Sequence, residues 1–116
     1  MAKIVLIEDD DIARRFYAGI LTKKGYEVID FPDAAPALEN CAFEEMDLII
    51  TDLEMPTGAE ELIKTVRSRG IETPILVISG HLGDGRSEQL KEIGAQATLT
   101  KPFKFEGFFK LVQDLI

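Results

Sequence analysis

Short runs of apolar, mostly β-branched residues recur along the chain, separated by segments with helical spacing. Strands that alternate with helices usually pair in parallel, with the helices packed on both faces of the sheet. The first, third and fourth runs are almost continuously apolar, which is typical of strands buried on both faces. The pattern therefore predicts an α/β fold with a parallel sheet. The predicted strands are Lys3–Ile7, Glu27–Phe31, Leu48–Thr51, Pro74–Ile78 and Ala97–Thr100.

The segments between the strands carry apolar residues at helical intervals. Ile12, Phe16 and Ile20 define one face of a first helix, which Gly25 ends. Asp33 is expected to open a second helix. The third, fourth and fifth helices are marked by Leu62 with Val66, by Leu90 with Ile93, and by the segment from Phe105 to Ile116.

The last predicted helix carries more apolar residues than one face needs. The spacing of one stripe predicts that it packs in the core, and a second stripe adjoins it. This second stripe either widens the core or contributes Leu111 and part of Phe108 to a homodimer or partner interface. The expected core stripe is Phe105, Phe109, Val112 and Ile116, and the second is Phe108, Leu111 and Leu115.

Length and charge narrow the class of protein. The chain has 116 residues, which predicts one domain spanning residues 1–116, and a formal net charge of −8. That charge argues against direct nucleic-acid binding and against binding to anionic membranes.

No apolar run approaches the ~18 residues of a membrane span, and Met1-Ala2-Lys3 leads straight into a strand without a signal-peptide core. Cys41 is the only cysteine, which excludes an internal disulfide. We expect a cytoplasmic acidic domain that binds cations or a protein.

Residues able to carry chemistry directly follow four of the predicted strands. Glu8 and Asp9 follow the first, Asp52 the third, Ser79 the fourth and Lys101 the fifth. In open parallel sheets, sites form beyond the carboxyl ends of the strands. We therefore expect these five side chains to converge on one crevice.

The types of these residues indicate phosphoryl chemistry. Gathered carboxylates repel each other, and a hard cation with oxygen ligands, such as Mg²⁺, relieves that repulsion. One carboxylate then serves as nucleophile, while a hydroxyl and an ammonium hold phosphoryl oxygens. Each residue alone has a plainer interpretation as a helix cap, a turn residue or a solvated lysine, and Asp10 or Asp11 is expected to cap the first helix. Their occurrence together at four strand ends favours an aspartate that accepts a phosphoryl group.

With these motifs, the sequence resembles the receiver domains of bacterial two-component response regulators. The resemblance extends from Lys3 to Ile116. It rests on the segments Ile4–Asp10, Asp47–Pro56, Pro74–Gly80, Gly94-Ala95 and Leu99–Phe103.

The resemblance implies a flavodoxin-like, doubly wound sheet of five parallel strands in the order 2-1-3-4-5, with five helices. It implies that a sensor histidine kinase or histidine phosphotransfer protein donates the phosphoryl group, and that a downstream protein or output domain responds. The domain would phosphorylate and dephosphorylate only itself. The implied roles are Asp52 as phosphoacceptor; Glu8, Asp9, Asp52 and the backbone carbonyl of Glu54 as Mg²⁺ ligands; Ser79 and Lys101 as phosphoryl contacts; and a cis peptide before Pro102.

Two departures from the family pattern concern the switch rather than the phosphorylation chemistry. An aromatic residue usually lies three positions before the lysine and moves together with the hydroxyl residue. Here Thr98 occupies that position, so the switch residues implied by the resemblance are Ser79 and Thr98. The stretch from Met55 to Glu60 is shorter than usual, so we expect a reshaped loop at the start of the third helix. His81 is either an exposed loop residue or, with Glu54, frames the path of an attacking water.

Two other classes of protein share part of this pattern. A small Mg²⁺-dependent phosphatase working through an aspartyl phosphate could use Glu54 as its general acid. Such enzymes, however, carry the nucleophile on the first strand and need a substrate cap. A flavin-binding electron carrier needs a phosphate-binding loop after the first strand, where this chain has the four acids Glu8 to Asp11.

Overall fold

The computed structural model describes residues 1–116 and contains five strands that alternate with five α-helices. The strands are β1 (Lys3–Ile7), β2 (Glu27–Phe31), β3 (Leu48–Asp52), β4 (Ile75–Ser79) and β5 (Ala97–Thr100). The helices are α1 (Asp11–Lys23), α2 (Ala34–Asn40), α3 (Ala59–Ser68), α4 (Arg86–Ile93) and α5 (Phe105–Leu115), with a 3₁₀ turn at Phe43–Glu45. The strands form one parallel sheet in the order β2-β1-β3-β4-β5. The predicted fold and strand order are confirmed.

Two strands end one residue later than predicted, and each added residue is a predicted site residue. Asp52 is the last residue of β3 and Ser79 the last of β4, so both backbones belong to the sheet. The ladder continues past them, because Leu53 N donates to Ile78 O at 2.8 Å and Lys101 N to Ser79 O at 2.7 Å. The sheet therefore fixes the positions of Asp52 and Ser79 more rigidly than a loop would.

Separate hydrophobic clusters cover the two faces of the sheet. Alternate residues of β1 and β3 point to opposite sides, so Val5 and Ile49 join one cluster while Leu6 and Ile50 join the other. The first cluster includes Leu62, Ile63, Val66 and Leu90 of α3 and α4, and the second includes Leu21, Phe108 and Val112 of α1 and α5. The continuous apolar character of these strands is explained by burial on both faces.

The end of α4 requires a glycine. Gly94 has φ +130°, and a Cβ at that position would lie 2.7 Å from Cγ of Arg67. The Arg67 guanidinium donates hydrogen bonds to Gly94 O at 2.8 and 3.1 Å, so the close approach ties α3 to the turn before β5.

The predicted faces of the first and last helices are partly wrong. Ile12 is 83% exposed, and Leu21 is the residue of α1 that the core encloses. In α5, Phe108 and Val112 are buried while Phe105 is 44% exposed. In both helices the exposed apolar residue lies in the first turn, and the buried residues lie further along the helix. Helical spacing alone could not reveal where along each helix burial begins.

The second stripe of α5 belongs to the core. Phe108 is fully enclosed, and Leu111 and Leu115 pack against the cluster that contains it. The wide-core interpretation therefore holds, and Phe108 is not available to a dimer or partner interface. Ile116, assigned to the core stripe from its spacing, is exposed beyond the end of the helix. None of the five helices has the length and apolar character needed to cross a lipid bilayer.

Candidate functional site

Three carboxylates meet at the carboxyl edge of the sheet. Oxygen atoms of Glu8, Asp9 and Asp52 all lie within 4.8 Å of one another. Glu8 is 2% exposed and Asp52 8% exposed, whereas Asp9 faces solvent. The side chains come from the ends of the adjacent strands β1 and β3, which pair through Ile7 and Thr51. The sheet register therefore creates this acidic cluster.

Lys101 provides the positive charge nearest to the cluster. Its Nζ lies 3.3 Å from Glu8 Oε1 and 3.5 Å from Asp52 Oδ2. Burial opposes the charged form of Lys101, but the nearby Asp52 and Glu8 carboxylates outweigh it and raise the pKa of Lys101. The lysine is thus a cation directed at both buried acids. The peptide bond from Lys101 to Pro102 is cis.

Burial makes the charge on Asp52 costly. Desolvation, followed by interactions with the Glu8 and Glu54 carboxylates, raises the pKa of Asp52 to about 8 even though Lys101 opposes the shift. Desolvation and the neighbouring Glu8 also raise the pKa of Asp9. Oδ1 of Asp52 is buried and has no hydrogen-bond partner. An all-oxygen cluster with an unpaired buried acceptor fits a hard divalent cation such as Mg²⁺.

Ser79 is held by the side chain of Glu54 and the backbone of His81. Ser79 Oγ lies 2.5 Å from Glu54 Oε1 and 2.8 Å from His81 O, and it accepts a hydrogen bond from His81 N at 3.0 Å. A hydroxyl has one proton to donate, so the two acceptors compete for it. Burial would raise the pKa of Glu54, but hydrogen bonds with Ser79 and Asp52 lower it. The ionised Glu54 is therefore the stronger competitor.

The side chain of His81 is exposed, in agreement with the plainer of its two interpretations. Its backbone is the part that contacts Ser79. The segment from Gly80 to Gly85 then leads directly into α4, and Gly85 has φ +77°.

Thr98 takes part in a hydrogen bond that the sequence did not suggest. Its Oγ1 lies 2.7 Å from Oγ of Ser87 in the first turn of α4. The preceding residue, Arg86, forms an ion pair with Glu60 at the start of α3. The start of α4 is thus bonded to β5 on one side and to α3 on the other.

An unforeseen pair of residues anchors the short loop after β3. Asp33 accepts hydrogen bonds from Thr57 N at 3.0 Å and from Thr57 Oγ1 at 2.8 Å. Burial alone would raise the pKa of Asp33, but these hydrogen bonds lower it. Asp33 lies immediately before α2, as predicted, yet its side chain caps the neighbouring loop and not its own helix. No local sequence signal marks this contact, because 24 positions separate the two residues.

A shallow apolar groove opens beside the acidic cluster. Its volume is about 480 Å³, and it lies between the first turn of α1 and the segment after β5. Phe16 and Phe105 are both partly exposed there, with ring centroids 5.6 Å apart. Asp10 and Lys101 line its polar end.

The five predicted site residues thus share one edge of the sheet, and comparison with known proteins defines the class. The family model of the response regulator receiver domain matches residues 4–113. The chain belongs to this family and is a receiver domain of the two-component response regulator type.

Individual relatives agree with this assignment. The chain is 30% identical over 112 residues to the response regulator protein FleR of Pseudomonas aeruginosa. This alignment covers 96% of this chain and 24% of FleR. It is 28% identical to the response regulator receiver protein CpdR of Brucella abortus, covering 100% of this chain and 98% of CpdR. The structure of the chemotaxis protein CheY4 of Vibrio cholerae superposes with a TM-score of 0.91 at 31% identity, covering 100% of this chain and 99% of CheY4. The chain therefore spans a small part of FleR and nearly all of CpdR.

Proposed function

We propose that residues 1–116 form one receiver domain that accepts a phosphoryl group on Asp52. The observation that carries the proposal is the buried cluster of Glu8, Asp9 and Asp52 facing Lys101. Strongly perturbed acids in a cleft are typical of reactive sites, because burying like charges destabilises a fold. The cytoplasmic location expected from the sequence stays a prediction.

The proposed metal is Mg²⁺, held by Glu8, Asp9, Asp52 and the backbone carbonyl of Glu54. When bound, it would neutralise the carboxylates and the negative charge of an incoming phosphoryl group. The oxygen-only ligand set and the unpaired Oδ1 of Asp52 support this choice.

In the proposed reaction, an ionised Asp52 oxygen attacks the phosphorus of a phosphohistidine. A phosphorus–oxygen bond forms while the phosphorus–nitrogen bond breaks, and the departing nitrogen keeps the electron pair and takes a proton from water. Lys101 pairs with a phosphoryl oxygen, and Ser79 donates its proton to another after leaving Glu54. Later attack by water on phosphorus restores the Asp52 carboxylate and releases inorganic phosphate.

We propose that the donor is a sensor histidine kinase or a histidine phosphotransfer protein. A donor histidine must be carried by a partner that reaches the carboxyl edge of the sheet. The apolar groove between Ile12, Phe16 and Phe105 borders Lys101 and offers contact area at that edge. The partner or output domain that responds to phosphorylation would contact a surface that changes when Ser79 moves.

The phosphatase alternative is less favoured. Glu54 lies two residues after Asp52, but its carboxylate is bonded to Ser79 and its pKa is lowered, which suits a hydrogen-bond acceptor better than a general acid. The family to which the chain belongs is a signalling family. We therefore propose that phosphorylation and dephosphorylation act on this chain alone.

Labelling with acetyl phosphate tests the proposed function directly. The wild type, Asp52→Ala and the exposed control Asp114→Ala would be incubated with acetyl phosphate and Mg²⁺ and analysed by intact mass spectrometry. We expect one phosphoryl group on the wild type and on the control, and none on Asp52→Ala or on any sample with excess chelator. Labelling of Asp52→Ala equal to that of the wild type would refute the assignment.

A further inference from the structure

The side chain of Arg14 joins three segments of the chain beside the acidic cluster. Its Nη1 donates to the backbone carbonyl of Glu8 at 2.9 Å, and its Nη2 lies 2.7 Å from Asp11 Oδ1. Its Nε lies 3.5 Å from Asp30 Oδ1. One guanidinium thus links the residue after β1, the first residue of α1 and a residue near the end of β2. The Arg14 side chain is only 14% exposed, so these contacts are held within the fold.

The most informative of these contacts is the one to Glu8. The Glu8 side chain is buried against Lys101 and Asp52, and its backbone carbonyl receives the hydrogen bond from Arg14. On the other side, Glu8 N donates to Phe31 O at 3.1 Å. The peptide units on both sides of Glu8 are therefore fixed, and the next residue along this fixed turn is Asp9.

The planar fork of an arginine suits this role better than a single ammonium. Its donors reach several acceptors at fixed angles, whereas lysine offers one point charge on a flexible stem. The neighbouring Arg15 is exposed and forms no ion pair, although it belongs to the same helix. The two arginines therefore differ in their contacts and not in their charge.

Arg14 differs from Arg15 in the position and contacts of its side chain, not in its charge. Asp11 and Asp30 pair with the charge of Arg14, and neither residue belongs to the acidic cluster. We propose that Arg14 is a positioning residue that holds Glu8 and Asp9 in the geometry required to bind Mg²⁺. The proposal rests on the metal-binding function proposed above.

The test measures Mg²⁺ binding without any phosphodonor. The full chain would be titrated with MgCl₂ by isothermal titration calorimetry, in about 0.5 M KCl so that long-range effects of charge are largely screened. The variants are Arg14→Met, Arg14→Lys and the matched control Arg15→Met. Circular dichroism and thermal unfolding without Mg²⁺ would establish that each variant is folded.

Loss of a residue that orients metal ligands typically weakens metal binding 10- to 100-fold. We expect the Kd for Mg²⁺ to rise at least about tenfold in Arg14→Met and about fivefold in Arg14→Lys, because the ammonium cannot bridge all three acceptors. Arg15→Met should stay within about twofold of the wild type. Labelling by acetyl phosphate in Arg14→Met should need correspondingly more Mg²⁺ but approach the wild-type rate at saturation.

Each contrary outcome has a distinct meaning. If Arg14→Met and the wild type bind Mg²⁺ equally, Arg14 does not position the ligands. If Arg14→Lys binds as well as the wild type while Arg14→Met does not, charge rather than the fork is responsible, and the proposal is overturned. If Arg14→Met does not fold, Arg14→Lys supplies the decisive comparison. Failure of the wild type itself to bind Mg²⁺ would overturn the proposed function as well.

Discussion

Replacing Asp52 by asparagine should stabilise the protein, and the gain should depend on pH. Burial and the neighbouring Glu8 and Glu54 carboxylates raise the pKa of Asp52 from its usual 3.8 to about 8, against the opposing effect of Lys101. An acid with a raised pKa in the folded state binds its proton more tightly there than in the unfolded state. The wild type therefore loses stability as the pH rises from about 4 to about 8, whereas Asp52→Asn has no such proton to lose.

The raised pKa of Asp52 sets an upper limit on the stability that the wild type loses as the pH rises. Each pH unit between the two pKa values contributes at most about 1.4 kcal/mol. Between pH 5.5 and 8.5 the wild type should lose no more than roughly 3 kcal/mol through Asp52. Because proteins relax and admit water around buried charges, we expect about half of this ceiling. The stability advantage of Asp52→Asn over the wild type should thus grow by between about 1 and 2 kcal/mol over this range.

Urea denaturation at pH 5.5 and pH 8.5, in the presence of a chelator, measures this difference. Comparing the two proteins at each pH cancels the titration of the groups that do not interact with Asp52. Asp114→Asn, an exposed substitution on α5, is the matched control and should show no pH-dependent gain. Adding Mg²⁺ should stabilise the wild type more than Asp52→Asn, because a ligand stabilises the state to which it binds.

Two results would refute this reasoning. A free-energy difference between Asp52→Asn and the wild type that is the same at both pH values would mean that Asp52 ionises normally in the fold. A difference that shrinks at high pH would mean that Lys101 stabilises the Asp52 charge by more than burial destabilises it.

Two further predictions concern the residues around Ser79. In Glu54→Gln, the hydroxyl of Ser79 loses its anionic acceptor. The initial rate of labelling by acetyl phosphate should therefore rise about fivefold, which corresponds to roughly 1 kcal/mol of hydrogen bonding. An unchanged or lower rate, measured by intact mass, would contradict this. The hydrogen bond between Ser87 and Thr98 should contribute about 1 kcal/mol in a double-mutant cycle of Ser87→Ala and Thr98→Val in the unlabelled protein. It should contribute much less with beryllofluoride bound, and equal coupling in both states would exclude Thr98 from the switch.

The strands, and the candidate site residues at their carboxyl ends, could be predicted because both depend on local sequence. A run such as Ile4–Ile7 is apolar enough to define a doubly buried strand. In a parallel sheet, the residue after each strand must lie at the same edge, so the convergence of Glu8 and Asp52 follows from strand order alone. The helix faces were less predictable, because the first apolar residues of α1 and α5 are exposed while later ones are buried. Ile12 and Phe105 therefore repeat with helical period without being buried.

The contacts that support the site could not be predicted, because their partners are distant in sequence and carry no pattern. Arg14 bonds to the residue after β1 and to Asp30 near the end of β2, and Asp33 bonds to Thr57 at the end of the loop after β3. Each would be interpreted locally as a surface charge or a helix cap. Only the arrangement of β2 beside β1 brings these side chains next to the loops that they hold.

These supporting contacts explain how a costly acidic cluster can keep a defined shape. When Glu8 and Asp52 are both ionised, their charges repel each other, and a flexible loop would yield to that repulsion. Asp52 resists because it belongs to a strand, and Glu8 because Arg14 and the backbone of β2 hold its peptide units. The fold therefore opposes the repulsion through backbone contacts outside the cluster. The carboxylate oxygens of the cluster consequently remain close together, which is the arrangement that the proposed metal-assisted phosphorylation of Asp52 requires.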